Sequence, residues 1–336
     1  MTKIAGCSLL SLTAIVLSSA SLGAMKGATK RTAKEAGGPA VLWENPTDIS
    51  TRDMINGAGG AAHQPKGPFR FVKEDRAGSN PKYVVTDVDG VKWKIKLGEE
   101  AHPETVASRI VWAAGYFTDE DYFVPDLKVD GVPSNLKRGE NKVEPDGLMH
   151  NARLERYQKG EEKDGIWQWK DNPFTGTREF NGLRVLMAVI NNWDLKDVNN
   201  AIVQADGRRI YMISDLGATF GTTGHEYSRA ASKGNLENYT DSKFITKTTP
   251  PTVSFAVPGR PQLLTAVDIS GFKGRVDMEW IGKDIPIEDA RWMGSILAKL
   301  SPQQIQSAFG AAGYSPKQVV GFSAVLEGRI AELNRL

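Results

Sequence analysis

Two acidic turns on either side of a short hairpin constrain this chain more than any other stretch. In residues 191–217, NNWDLKDVNNAIVQADGRRIYMISDLG, the first turn holds Asp194 and, five residues on, Asn199. The second holds Asp215, followed by Leu216 and Gly217. Residues 201–203 and 210–213 are apolar runs flanking Asp206-Gly207, a dipeptide that closes two-residue β-hairpins. The hairpin is expected to bring the two turns together. An aspartate to orient a hydroxyl, with an asparagine and a second aspartate to hold Mg²⁺ on a triphosphate, is the equipment of phosphoryl transfer. Asp and Asn are also the commonest turn formers, so this segment alone does not separate chemistry from simple chain reversal.

The 336 residues suffice for one large domain or two lobes with ample core. A net charge of +2 gives no sign of a polyanion partner across the whole surface, and no nucleic-acid role is expected. Lys3 precedes an uncharged, small-residue-rich apolar run over residues 8–24, which reads as a secretory signal peptide. The alternative is a retained N-terminal anchor. Cleavage would leave an exported protein, periplasmic or extracellular, with no stable membrane span. Cys7, the only cysteine, would leave with the signal, so no disulfide or thiol chemistry is expected. His63, His102, His150 and His225 show no i, i+4 pairing of the kind that holds zinc.

Residues 25–65 are rich in Gly, Ala, Lys and Thr, with Val41-Leu42-Trp43 as the one apolar anchor, and read as a partly disordered leader. Strands are expected at 69–72, 82–87 and 91–97. In the last, Val91, Trp93, Ile95 and Leu97 take one face and Lys92, Lys94 and Lys96 the other. A helix is expected from Pro103, ending at Gly115, and a hairpin over 122–129 turning at Asp130-Gly131. Residues 133–180 are polar and read as long loops around a strand near 152–157. The spacing predicts an apolar helix over 182–192, a mobile segment from 218 to about 238, and a Pro-rich stretch over 248–261 leading to short strands. The last fifty residues read as helical. Ser301-Pro302 and Ser315-Pro316 are N-caps with Pro at the first helical position, and Val319, Phe322, Val325, Leu326, Ile330 and Leu333 form a final apolar stripe.

A strand lysine paired with a helix glutamate is the ion pair that positions phosphates in kinases, and Lys96 and Glu104 stand in that order. Taken singly, each lysine of the strand is an ordinary solvated residue. Taken together, the order of loop, strand lysine, helix glutamate, apolar helix, Asp-x4-Asn, hairpin and Asp-x-Gly resembles a protein-kinase-like fold. Within that superfamily it most resembles the HipA-type kinases, with phosphatidylinositol 3-/4-kinases as more distant kin. Gly78-Ser79-Asn80-Pro81-Lys82 resembles the family's phosphate-facing loop, and Trp93-Lys94-Ile95-Lys96 its ATP-contacting strand. Glu104 and the residues through Gly115 resemble the helix that follows. Asn192-Trp193-Asp194 with Asn199 resembles the catalytic loop, and Asp215-Leu216-Gly217 stands where kinases carry Asp-Phe-Gly. The likeness covers about residues 68–220. Lys196 stands where HipA-type proteins have histidine, and the loop at Gly78 has a single glycine.

The resemblance implies an α+β, two-lobed protein-kinase-like fold, with a small antiparallel N-lobe over 66–132 and a mainly helical C-lobe over 133–336. It implies ATP and Mg²⁺ as cofactors. Asp194, Lys96 and Lys196 would be catalytic, Gly78, Ser79, Lys82, Lys96 and Glu104 would hold nucleotide, and Asn199 and Asp215 would hold metal. The expected activity is transfer of phosphate to a hydroxyl on a protein or small-molecule acceptor. Two readings compete with it: an exported pseudokinase that binds a ligand or protein, and a structural envelope protein. Of the strand lysines, Lys96 rather than Lys94 is expected to reach Glu104.

Overall fold

A strand with lysines on one face and large apolar side chains on the other must bury the second face, and here it does so inside a barrel. The structure, a computed structural model, describes residues 38–76, 80–157, 162–192, 194–222, 233–256 and 278–336. The leading segment forms β1 (Ala40–Val41) and three short 3₁₀ turns. Next come β2 (Phe69–Asp75), β3 (Lys82–Thr86) and β4 (Lys92–Leu97). Helix α1 (Ala101–Ala113), β5 (Phe117–Thr118), β6 (Asp121–Asp130) and β7 (Leu148–Arg156) complete this half.

Strands β2-β3-β4-β7-β6 close into a barrel. All its pairings are antiparallel except the closing one, where Phe69 lies beside Val129 and Arg70 beside Asp130 in parallel. Its interior is filled by Tyr83, Val85, Trp93, Ile95, Leu97 and Leu154, as the period of two in β4 requires. The Trp93 indole donates to Asp87 Oδ2 at 2.8 Å, while Asp87 Oδ1 accepts from the Asp89 and Val91 amides, which fixes the β3–β4 turn. Because β7 supplies a barrel strand, the barrel takes in residues up to Arg156. Residues 131–147 are an excursion between two paired strands.

The second half starts with β8 (Glu162–Gly165) and α2 (Arg178–Val189). The hairpin of β9 (Asn200–Ala205) and β10 (Arg208–Ile213) turns at Asp206 and Gly207, with φ of 50° and 71°. Strand order in this sheet is β1-β10-β9-β8, with β5 also beside β10. Then follow α3 (Leu236–Asp241), a three-stranded sheet of β11 (Ile245–Thr249), β12 (Thr252–Phe255) and β13 (Ile285–Pro286), and the helices α4 (Ile287–Leu297), α5 (Pro302–Ala311) and α6 (Pro316–Arg335). Ser301 and Ser315 cap the last two helices, each in a reciprocal capping box with a glutamine three residues on and Pro in the first turn. The α+β architecture expected from the sequence is present.

The residues read as a leader behave differently from Gly38 onward. Leu42, Ile49 and Met54 are buried in the main core, and the Trp43 indole donates to the Ala114 carbonyl at 2.7 Å. Residues 25–37 lie outside the described set. The region read as long loops over 133–180 holds the strand expected near 152–157, as β7; β8 was not expected, nor were the buried indoles Trp167 and Trp169, which anchor the segment before α2. Trp167 donates to the Met212 carbonyl and so ties that segment to β10. Helix α2 begins four residues earlier than its apolar spacing suggests, because Thr177 caps it by accepting from the Phe180 amide. Among the described residues no helix is long and apolar enough to cross a membrane.

Candidate active site

Lys96 leaves the outer face of β4 and is then covered by α1, so its side chain is only 1 % exposed. A buried ammonium must be paired, and three carboxylates meet it. Lys96 Nζ lies 2.7 Å from Glu104 Oε2, 3.1 Å from Asp215 Oδ1 and 3.3 Å from Glu100 Oε2. Lys94, on the same strand face, turns instead to Glu155 at 2.7 Å. The expectation that Lys96 takes Glu104 therefore holds. Register explains the rest of the network: β7 places Arg153 opposite Lys96 and Glu155 opposite Lys94. Arg153 bridges Glu104, Asp121 and Glu155 at 3.0, 2.8 and 2.7 Å.

The two acidic turns arrive by local capping. Helix α2 ends in a Schellman motif: the Asn191 amide donates to Ala188 and the Asn192 amide to Met187, with Asn191 at φ 54°. The chain then turns through Asn192, whose side chain accepts from the Asp194 amide at 3.0 Å. Asn199 joins the turns. Its side-chain amide donates to the Asp194 carbonyl at 2.7 Å, and its own carbonyl accepts from the Ser214 and Asp215 amides. Lys96, Asp215, Asn199 and Asp194 thus form one connected chain of contacts, extended by Lys196, whose ammonium lies 2.7 Å from Asp194 Oδ1.

Electrostatics sort these groups. Burial alone would raise the Asp215 carboxyl, but the charges of Lys96 and Lys82 outweigh it and hold it at about 2. Burial likewise works against the Lys96 ammonium, and Glu104 and Asp215 reverse that, lifting it well above the ordinary lysine range. Lys82, opposite Lys96 in the β3–β4 register, is half-buried and makes no ion pair among the described residues. Burial and then the Lys96 charge hold its ammonium below the ordinary value. An unneutralised cation beside Lys96 and facing Asp215 suits an anion.

Gly78 and Ser79 lie outside the described residues. The other residues singled out from sequence come together as described. Three participants had escaped notice: Glu100, Arg153 and Lys233. Glu100, four residues beyond Lys96, was open to discovery by spacing alone. Lys233 pairs with Glu100 from beyond the Asp-Leu-Gly turn, and nothing in the sequence marks it. Glu100, Glu104 and Asp215 present oxygens within 4.8 Å of one another, with the Lys96 ammonium in contact with all three.

No protein-family model matches the chain, and no curated protein matches it. Among solved structures it is similar to the proinflammatory kinase CtkA of Helicobacter pylori. That likeness has a TM-score of 0.46 and 10% identity, covering 78% of this chain and 94% of that one.

Proposed function

We propose that this chain is a kinase-like phosphotransferase, moving phosphate from ATP with Mg²⁺ to a hydroxyl of a protein or small-molecule acceptor. The observation that carries the reading is Lys96 held between Glu104 and Asp215, with Asp215 linked through Asn199 to Asp194. Lys96 and Lys82 offer two ammonium groups to nucleotide phosphates. Asp215 and Asn199 offer hard oxygen donors, and Asp215 stays ionised, a donor chemistry that fits Mg²⁺. Bound Mg²⁺ would neutralise charge on the phosphates. Asp194 orients the acceptor hydroxyl and takes its proton, and Lys196 holds the Asp194 carboxylate in place. Little else is required, because such catalysis is mainly positioning and charge neutralisation. The reading carries export with it, on the strength of residues 8–24.

The test is thermal shift with MgATP beside a phosphoryl-transfer assay. Wild type should gain melting temperature with MgATP. Asp215→Asn, near-isosteric, should lose that gain while keeping its fold by circular dichroism. Asp194→Asn should keep nucleotide binding and lose transfer. No response of wild type to nucleotide, with or without Mg²⁺, would overturn the reading.

A further inference from the structure

Helix α1 carries Glu104, and its far end is bound to the irregular segment that leads into the barrel. Three carbonyls at and just past its last turn accept from that segment. Trp112 accepts from the Arg52 guanidinium, Ala114 from the Trp43 indole at 2.7 Å and Gly115 from the Glu44 amide at 2.9 Å. A helix end needs such donors, since its final carbonyls have no partner within the helix. Arg109, further along α1 than Glu104, grips in the other direction. Its Nε and Nη2 both donate to the Ile55 carbonyl, at 3.2 and 2.8 Å, while Nη1 donates to Thr105 of its own helix. Arg109 is fully buried, and burial pulls its guanidinium down to about 10, so it stays charged at neutral pH. Buried charges are normally paired with an opposite charge. Among the described residues Arg109 has no such ion pair, and its charge is committed to backbone carbonyls.

The second half of the chain holds the same segment from the opposite side. Strand β1 lies parallel to β10, with Val41 beside Ile210. Trp43 packs edge-on against Trp292 of α4, ring centres 5.2 Å apart. Gln304 of α5 donates to the Ile49 and Arg52 carbonyls at 2.9 and 3.1 Å. Strand β10 is the one that leads to Asp215. One segment thus holds both the helix of Glu104 and the strand before Asp215, the two carboxylates that flank Lys96.

We propose that Arg109 is a positioning residue: by gripping the leading segment at Ile55 it sets the helix of Glu104 against the strand that leads to Asp215, and so fixes the spacing of the two carboxylates about Lys96. Its guanidinium makes no hydrogen bond to Lys96, Glu104 or Asp215 among the described residues, so it acts through the helix. The consequence for nucleotide rests on the phosphotransfer reading, whereas the coupling of the segment to Glu104 does not.

The experiment uses the full chain. Arg109→Met removes the grip on Ile55, and Arg109→Lys keeps one donor for it. Gln304→Glu loosens the segment from the other side. It keeps the oxygen that accepts from the Ser301 amide in the helix cap and loses the amide that holds Ile49 and Arg52. Hydrogen exchange should rise at residues 104–113 in all three and not in β3, with Arg109→Lys between wild type and Arg109→Met. Gln304→Glu and Glu104→Gln should fall short of additive by about threefold to tenfold in the unfolding constant, because a loosened helix has already misplaced Glu104. Gln304→Glu should also weaken MgATP binding about threefold to tenfold, and that loss should vanish in the Glu104→Gln background. Additive effects on stability would overturn the proposal. If Glu104→Gln does not fold, unchanged α1 exchange in folded Gln304→Glu and Arg109→Lys would overturn it instead. Coupling in stability, with wild type indifferent to MgATP, would remove the phosphotransfer reading and leave the positioning of Glu104 standing.

Discussion

Glu100 fills the space that a side chain on Gly217 would need. A Cβ built on Gly217 would lie 2.7 Å from the Glu100 Cβ and 2.8 Å from both its Cγ and its Oε2. The glycine after Asp215 is therefore demanded by close approach: the turn carrying Asp215 is seated on the first residue of the α1 entry. Glu100 in turn touches Lys96 and pairs with Lys233, so the seat belongs to the charged cluster itself.

Gly217→Ala should displace Asp215 from Lys96 and weaken the MgATP thermal shift at least about tenfold in apparent affinity, a loss of about 1.4 kcal/mol. Adding Glu100→Gly removes the clashing atoms and should restore much of the loss. A double-mutant cycle read by nucleotide titration checks this, and additive effects of the two substitutions would refute the steric account.

Lys96 and Lys94 should differ sharply in what their removal costs. Lys96→Met leaves Glu104 and Glu100 buried beside an apolar chain, with half-buried Asp215 at their edge, and breaking such a pair typically costs about 3–5 kcal/mol. Lys94→Met leaves Glu155 still paired with Arg153 and should cost clearly less. The sign of the pH effect is also fixed. Without Lys96 the carboxylates take up protons more readily on folding, so Lys96→Met should recover part of its deficit as pH falls toward 5. Urea denaturation at several pH values reads both effects.

The parts of the site that follow from local rules were legible in the sequence. Alternation in β4 put Lys92, Lys94 and Lys96 on one face, and the resemblance to kinases, not the period, singled out Lys96 with Glu104; the Asp-Gly turn announced the meeting of Asp194 and Asp215. What depends on tertiary approach was not legible. Arg153 stands opposite Lys96 only through the β4–β7 register, and its strand reads as polar because Arg153 and Glu155 are buried in an ionic network. Leu42, Ile49 and Met54 enter the core from an irregular segment, one at a time, so no period of two or 3.6 betrays them.

His150 should make the barrel excursion sensitive to pH. Its ring nitrogens lie 2.6 Å from Asp126 Oδ1 and 2.9 Å from Glu144 Oε1, joining the start of β7 to β6 and to the excursion over 131–147. Hydrogen bonds to Glu144 and then Asp126 raise the imidazole above its ordinary value. A raised folded value means that the stabilisation is complete below the unfolded value of about 6.5 and is lost as pH rises through the folded one. Limited proteolysis of the excursion should therefore speed up from pH 6 to pH 8.5 in wild type. In His150→Gln the rate, corrected for the protease's own pH profile, should stay flat.

Arg329 on α6 should govern the entry to the Asp194 turn from a distance. Its guanidinium donates to the Ala188 and Val189 carbonyls at the end of α2, to the Tyr239 and Ser242 carbonyls, and to the Ser242 hydroxyl at 2.7 Å. That hydroxyl also accepts from Asn191, the left-handed residue that starts the turn toward Asp194. Arg329→Met keeps the apolar stem but removes charge-assisted hydrogen bonds to these carbonyls; those of Ala188, Val189 and Tyr239 each keep a second donor, so a loss of about 1.5–3 kcal/mol in total is expected. Arg329→Lys can satisfy only some of them and should fall between. Because the α2 end would loosen before the barrel does, hydrogen exchange should rise in Arg329→Lys at residues 188–192 and not in β4. Equal rises in both would show that Arg329 supports the fold as a whole and not that turn.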